Sequence, residues 1–192
     1  MDKPIASLIR HLRKFGHIPD DRARLIEGYF ALELVPGGGF YLRENKVSYH
    51  SGFIAEGVMR YCNIGADGEL LTCYFVAEND LAGDPESFAR QTPSKLILQA
   101  VTDTLVVTIS RDRYEALIAR FPEFERIAAQ MAQAFMTSLI NQRSFLLNND
   151  AKSKYLHFLE HFPHILNRVP LGMVATYLGI KQQSLSRLRA GL

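Results

Sequence analysis

Cysteine is nearly absent from the 192-residue chain: Cys62 and Cys73 are the only two, eleven apart. Two thiols at that spacing make neither a disulfide framework nor a zinc or iron–sulfur ligand set. They are expected to pack as small apolar residues in a reducing, cytoplasmic setting. No apolar run approaches 18 residues, so no membrane partner is expected. The opening stretch "MDKPIASLIRHLRKFG" is charged throughout, unlike a secretory signal. A nucleophile elbow, a metal-ligand spacing and a phosphate-binding glycine loop are all missing, which argues against an enzyme, a bound metal or a resident cofactor. Internal repeats and low-complexity segments are missing too. The most informative absence lies near the C-terminus, where no Asp or Glu follows Glu160.

What is present is an ordinary globular composition, 47% hydrophobic and 22% charged, with 12 Phe and 8 Tyr to fill a core. The length suits one large domain or two small ones. A net charge of +2 hides an asymmetry. From Asp150 to Leu192 there are six Lys or Arg and two acids, a net of +4, with His157, His161 and His164 in addition; the remainder carries −2. A basic end on a slightly acidic body is the footprint of a nucleic-acid contact. Ordinary charge scatter over 43 residues is the competing reading.

Apolar residues at Ile5, Leu8, Ile9, Leu12 and Phe15 have helical spacing within Lys3 to Phe30, and Arg22 to Tyr29 reads as a second short helix. From Ala31 to Ile109 the pattern turns to short strands: "FALELV", "FYLREN", "SGFIAEGVMRYCN", "ELLTCYFV", "LILQAV" and "TLVVTIS". Turn signals at Pro36–Gly39, Asn45-Lys46 and Ala66-Asp67-Gly68 separate them, the last predicting a hairpin. Strands at spacings near ten, without alternating helices, predict an antiparallel barrel or sandwich. The polar stretch Glu78–Lys95 reads as a loop with a helical turn. Ser110 then caps a helix, and Pro122 opens a long one. In it Phe124, Ile127, Met131, Ala134, Phe135, Ser138, Leu139, Gln142 and Leu146 recur at three- and four-residue spacing. A helix of that length is either a buried spine or a dimer seam. Asn148-Asn149-Asp150 marks a boundary, followed by another helix and the loop "PHILNRVP".

The stretch "VPLGMVATYLGIKQQSLSRLR", Val169 to Arg189, reads as two helices joined by a tight turn. Leu171, Val174, Ala175 and Leu178 form one apolar face. Gly179 falls where the chain must turn, and Ile180 plugs the angle. Leu185 and Leu188 point inward, while Gln182, Gln183, Ser184, Ser186, Arg187 and Arg189 point outward. Gln suits adenine and Arg suits guanine in the major groove; Lys181 and Ser184 suit phosphate oxygens. A structural hairpin is the bland alternative, but it would more often carry acids.

Two pieces of the chain carry a resemblance: "YFVAENDLAGDPESFARQTPSKLILQAVTDTLVVTISRDRYEALIARFPEFE" and "RVPLGMVATYLGIKQQSLSRLR". Together they resemble the cyclic-AMP receptor protein/Fnr superfamily of bacterial transcription regulators, in the branch common in Bacteroidetes-like bacteria. The likeness runs from about Leu25 to the end. It implies an α+β fold: an N-terminal antiparallel β-roll (a double-stranded β-helix, cupin-like) with flanking helices, a long dimerisation helix, and a C-terminal all-α helix-turn-helix domain. The implied divisions are 1–121, a cyclic-nucleotide-binding-like sensor; 122–147, the dimerisation helix; and 148–192, the DNA-binding domain. The short "PHILNRVP" implies a reduced or absent wing. The implied partners are a near-palindromic duplex DNA, a second copy of the chain, RNA polymerase and a small-molecule effector.

By position, the resemblance puts base reading on Gln182, Gln183 and Arg187, and phosphate contact on Lys181 and Ser184. Many relatives have an acid or Arg where the two glutamines stand, so the target sequence is expected to differ. Dimer contacts fall on Ile127, Met131, Phe135 and Leu139. Cyclic-nucleotide binders use a Gly-Glu-Leu piece and an Arg-Ser/Thr-Ala piece to hold ribose and phosphate. Here the loop is "LAGDPESFARQTPSKLILQ", with Ser94 at the Arg position and Lys95 beside it. Asp84 and Glu86 bring acid into the region, and Arg90 lies off the usual spacing. The expectation is a degenerate pocket around Asp84, Glu86, Arg90, Ser94 and Lys95, with an effector that is not a cyclic nucleotide. A cyclic-nucleotide-responsive regulator, and a ligand-sensing β-barrel acting through protein contacts, are the alternatives.

Overall fold

The computed structural model describes residues 4–190; Lys3, where the first helix is expected to begin, lies outside them. The chain is α+β. Two helices, α1 (Pro4–Leu12) and α2 (Asp20–Glu27), lead into eight strands: β1 (Ala31–Val35), β2 (Phe40–Leu42), β3 (His50–Glu56), β4 (Met59–Ile64), β5 (Leu70–Val76), β6 (Leu81–Ala82), β7 (Ile97–Ala100) and β8 (Thr104–Ser110). A short α3 (Pro85–Arg90) interrupts them. The chain ends in α4 (Arg111–Arg120), α5 (Pro122–Asn148), α6 (Ala151–His161), α7 (Leu171–Leu178) and α8 (Gln182–Ala190).

The strands form two four-stranded antiparallel sheets, ordered β1-β8-β3-β6 and β2-β7-β4-β5. Alternation along each strand sends one set of side chains between the sheets. Val35, Ile54, Ala82 and Val106 from the first sheet meet Leu42, Met59, Val76, Leu98 and Ala100 from the second. The run "SGFIAEGVMRYCN" is two strands, not one, because Gly57 takes φ +112° between them. A Cβ there would sit 2.5 Å from Thr104 Oγ1, so no larger residue fits this corner. The β4–β5 hairpin forms as expected, closed by Gly65 N–H donating to Glu69 O at 2.8 Å. The Glu78–Lys95 stretch is more structured than a loop: it holds β6 and α3.

The outer faces of both sheets are covered by helices. Phe53, Val107 and Ile109 of the first sheet pack under α1, α2, α4 and the start of α5, through Leu8, Leu12, Ile26, Leu117, Phe124 and Ile127. On the second sheet's side, Val58 and Phe75 share a core with Leu146, Tyr155, Phe158, Phe162, Val174, Tyr177 and Leu185. Phe75 and Phe158 are fully buried, and burial of each such side chain stabilises the fold by roughly 1.5–3 kcal/mol. The C-terminal helices therefore dock on the strands of their own chain.

The local signals work as physical chemistry requires. The Ser110 hydroxyl accepts from Arg113 N–H at the start of α4, and Pro122 occupies the first turn of α5, where its missing N–H costs no helical bond. The Asp150 carboxylate accepts from Ser153 N–H at 2.8 Å and starts α6. Among the described residues, no helix is long and apolar enough to cross a membrane.

Candidate nucleic-acid interface

α7 and α8 are joined by three residues. Gly179 adopts φ +66°, ψ 34°, and its N–H and that of Ile180 return to carbonyls of Thr176 and Ala175. Left-handed backbone is what lets the chain reverse so soon after the last helical turn. Val174, Ala175, Tyr177 and Leu178 of α7 are buried, as is Leu185 of α8, and Leu188 is half-buried. That leaves Lys181, Gln182, Gln183, Ser184, Ser186, Arg187 and Arg189 all exposed. Leu171 joins Lys181, Gln182, Gln183, Ser186 and Arg187 in lining one open concavity.

The orientation of this helix pair is set from the strands. Thr72 N–H donates to Thr176 Oγ1 at 3.2 Å. Gln142 of α5 bridges the two sides: its Nε2 donates to Tyr74 Oη at 2.8 Å, and its Oε1 accepts from Tyr177 Oη at 3.1 Å. Burial raises both tyrosines, Tyr74 to about 12. Arg168, in the segment between α6 and α7, forks onto Glu78 just after β5: Nη2 to Oε1 at 2.8 Å and Nη1 to Oε2 at 3.0 Å. Glu78 Oε1 also accepts from Gly57 N–H at 2.8 Å. Burial pushes the Glu78 carboxyl up, but the Arg168 fork and the backbone N–H bonds outweigh it, leaving it below the usual range. Sequence reasoning missed Glu78, Arg168 and Tyr74. Only Gln142 left a trace, as a polar residue on the apolar stripe of α5.

The five residues assigned to an effector pocket do not converge as one set. Asp84 caps α3, its Oδ1 accepting from Glu86 N–H at 3.0 Å and Ser87 N–H at 3.2 Å. Its Oδ2 accepts from the buried Ser94 hydroxyl at 2.7 Å. Glu86 and Arg90 pair loosely with each other at 3.7 Å on the surface, and Lys95 is exposed. Between the sheets, Tyr41 and Tyr61 reach across. Tyr61 Oη donates to Gly83 O at 2.8 Å, and Tyr41 Oη lies 3.1 Å from Thr108 Oγ1. Burial pushes both phenols well above their ordinary range.

On α5, Ile127 and Met131 face inward, 1% and 8% exposed, against the helices over the first sheet. Phe135 packs against the inter-sheet core, edge-on to Tyr74 at 6.4 Å, and Leu139 is half-buried. The apolar side chains left open lie on another face: Met136, Ile140 and Leu147, at 46%, 64% and 67%.

With two stacked antiparallel sheets, a 27-residue helix and a closing helix pair on the page, comparison with solved structures is decisive for the fold. FixK2 from Bradyrhizobium japonicum aligns with TM-score 0.72 over 85% of this chain and 84% of that one, at 16% identity. The chain has the fold of the Crp/Fnr regulators. The same Crp/Fnr fold is seen in CLP of Xanthomonas campestris, a c-di-GMP-responsive global regulator (TM-score 0.68, 15% identity, 88% of each chain). It recurs in the catabolite activator protein of Thermus thermophilus (TM-score 0.56, 20% identity, 99% of this chain and 86% of that one). No protein-family model and no curated protein matches the sequence. The neighbours sharing this Crp/Fnr fold are regulatory proteins rather than enzymes.

Proposed function

We propose that the chain is a dimeric, sequence-specific DNA-binding transcription regulator of the Crp/Fnr type, acting in the cytoplasm. One observation carries this reading: an exposed face free of acids, running from Lys181 to Arg189, on a helix held out by the Gly179 turn. α7 and α8 act as a helix-turn-helix. Gln182, Gln183 and Arg187 read base edges, Lys181 and Ser184 meet phosphates, and Ser186 and Arg189 extend the contact. The wing that relatives place between α6 and α7 is reduced or absent, as the short "PHILNRVP" implies.

The divisions stay those of the resemblance: a sensor over 1–121, a dimerisation helix over 122–147 and a DNA-binding domain over 148–192. The two-sheet unit is the sensor, a double-stranded β-helix of cupin-like type. Two copies meet along α5, and the face offered is Met136, Ile140 and Leu147, spaced four and seven apart. Ile127 and Met131 serve their own chain's core instead. A two-fold dimer sets the recognition helices one DNA turn apart, about 34 Å, on a near-palindrome. RNA polymerase is the further macromolecular partner.

The effector is a small molecule other than a cyclic nucleotide. A phosphate at the start of α3 would compete with Asp84 for the same N–H groups and meet its charge, while Arg90, at the other end of α3, pairs with Glu86. Tyr41 and Tyr61 occupy space between the sheets.

Selection of genomic fragments by the purified chain tests the regulator. A near-palindrome with half-site centres about 10 base pairs apart should be enriched at moderate salt. Arg187→Ala should lose about 1–3 kcal/mol and relax discrimination at one base pair. Failure of the wild-type chain to enrich any site sinks the reading.

A further inference from the structure

On α6, the sequence His157-Phe158-Leu159-Glu160-His161, a ligand spacing that sequence reasoning missed, puts two imidazoles at i and i+4 and a carboxylate at i+3. These positions share one helix face. Phe158, fully buried against Phe75 and Tyr177, fixes which way that face points. One donor atom from each of His157, Glu160 and His161 lies within 4.8 Å of the others.

The two imidazole rings lie in van der Waals contact. His157 is sandwiched between Phe145 of α5, stacked at 3.9 Å and 15°, and His161 at 3.8 Å. His161 Nδ1 lies 3.0 Å from the His157 carbonyl oxygen. A carbonyl can only accept, so this bond puts the proton on Nδ1 and leaves the Nε2 lone pair of His161 available. That is the arrangement in which a backbone oxygen orients a metal-bound imidazole. His157 Nε2 is covered and has no hydrogen-bond partner. A buried ring nitrogen without a partner is costly, and a cation would supply the partner.

We infer that His157, His161 and Glu160 form a binding site for a divalent transition metal ion, of the zinc or nickel class, on α6. The donor set is two imidazoles and one carboxylate, which suits zinc, nickel and copper rather than magnesium or calcium. Tetrahedral bonds of about 2.0–2.2 Å put donors about 3.4 Å apart, so the three must draw together by up to about 1.4 Å. His161 and Glu160 are exposed, so the carboxylate can swing in and the His161 ring can leave its stack on His157, the movement that turns both ring lone pairs toward one ion. Occupancy would tie the last turn of α6 to itself, just before the segment that carries Arg168 into α7.

Calorimetry on the chelator-stripped full chain with zinc chloride and nickel chloride tests the site without reference to DNA. One ion per chain is expected, with micromolar affinity and a raised melting temperature, and no heat with magnesium chloride. His161→Ala alters an exposed side chain and should weaken zinc binding by at least the roughly tenfold to hundredfold that loss of a mere outer-shell partner costs, with the circular dichroism spectrum unchanged. Glu160→Gln should weaken it less, and His164→Ala, outside the cluster, should leave it intact. Zinc binding unaffected by His161→Ala places the metal elsewhere and overturns the inference, as does the absence of binding to the wild-type chain at millimolar zinc.

Discussion

The Glu78–Arg168 fork is the most exposed test of how the C-terminal helices are held to the strands. Its side chains are 34% and 30% exposed, so it lies between a surface pair and a buried one. Exposed pairs contribute about 0.2–1 kcal/mol, and hydrogen bonds to charged groups about 1.5–3 kcal/mol. A bidentate pair one-third exposed should therefore show a coupling of about 1–2 kcal/mol. Glu78→Gln keeps an acceptor for Gly57 N–H, so the loss reports the pair rather than that bond. A double-mutant cycle of Glu78→Gln and Arg168→Gln, read by urea unfolding at neutral pH, isolates the coupling. The folded Glu78 carboxyl titrates below its unfolded value, so the stabilisation is present above the unfolded value, about pH 4.3, and is lost as pH falls through the lower folded one. The coupling should also shrink in 1 M salt, to the degree that the pair is solvated. A coupling under about 0.3 kcal/mol at low salt and neutral pH would refute the claim that this fork fastens the two parts.

Three further outcomes are expected. Burial raises the Asp80 carboxyl to about 6, so folded stability falls as pH rises from about 4 through 6 and levels off above that, where the buried carboxyl is ionised at a cost to the fold. Asp80→Asn should accordingly stabilise the fold at pH 7.5 by up to about 3 kcal/mol and by almost nothing at pH 4, read from urea midpoints; equal effects at both would contradict it. Ile140→Glu, on the open face of α5, should turn a dimer into a monomer in sedimentation with its helical spectrum intact, whereas Ile127→Ala should lower stability by about 2–5 kcal/mol without changing the mass. A Cβ at Gly179 meets no atom within 4 Å, so Gly179→Ala should cost only the left-handed strain, about 1–2 kcal/mol, and a melting temperature unchanged by it would contradict the turn.

Much of the fold was legible because local chemistry is close to one-dimensional. Ser110, Pro122 and Asp150 start their helices as their side chains require, and Gly179 reverses the chain as a residue without Cβ can. The short β-branched run "TLVVTIS" identified a strand, buried along most of its length. The exposed face of α8 was readable because Leu185 and Leu188, one turn apart, fix which side is inward. The faces of α5 were not readable in the same way. Its apolar residues occupy two sides, and spacing alone treats a neighbour in the same chain and a second copy alike. Ile127 and Met131 proved to face the former.

Sequence alone thus determined the order of elements apart from β6 and the break between β3 and β4, the turn at Gly179 and the acid-free polar face from Lys181 to Arg189. Each depends on residues within one or two helical turns of each other. Tertiary structure decided what lies far apart along the chain. It brought Glu78 to Arg168, and Tyr74 through Gln142 to Tyr177. It bound Asp84 to Ser94 and sent Tyr41 and Tyr61 between the sheets. Those partners are chosen by how the sheets stack and how helices cover them. No periodicity in the sequence encodes which side chain arrives opposite which.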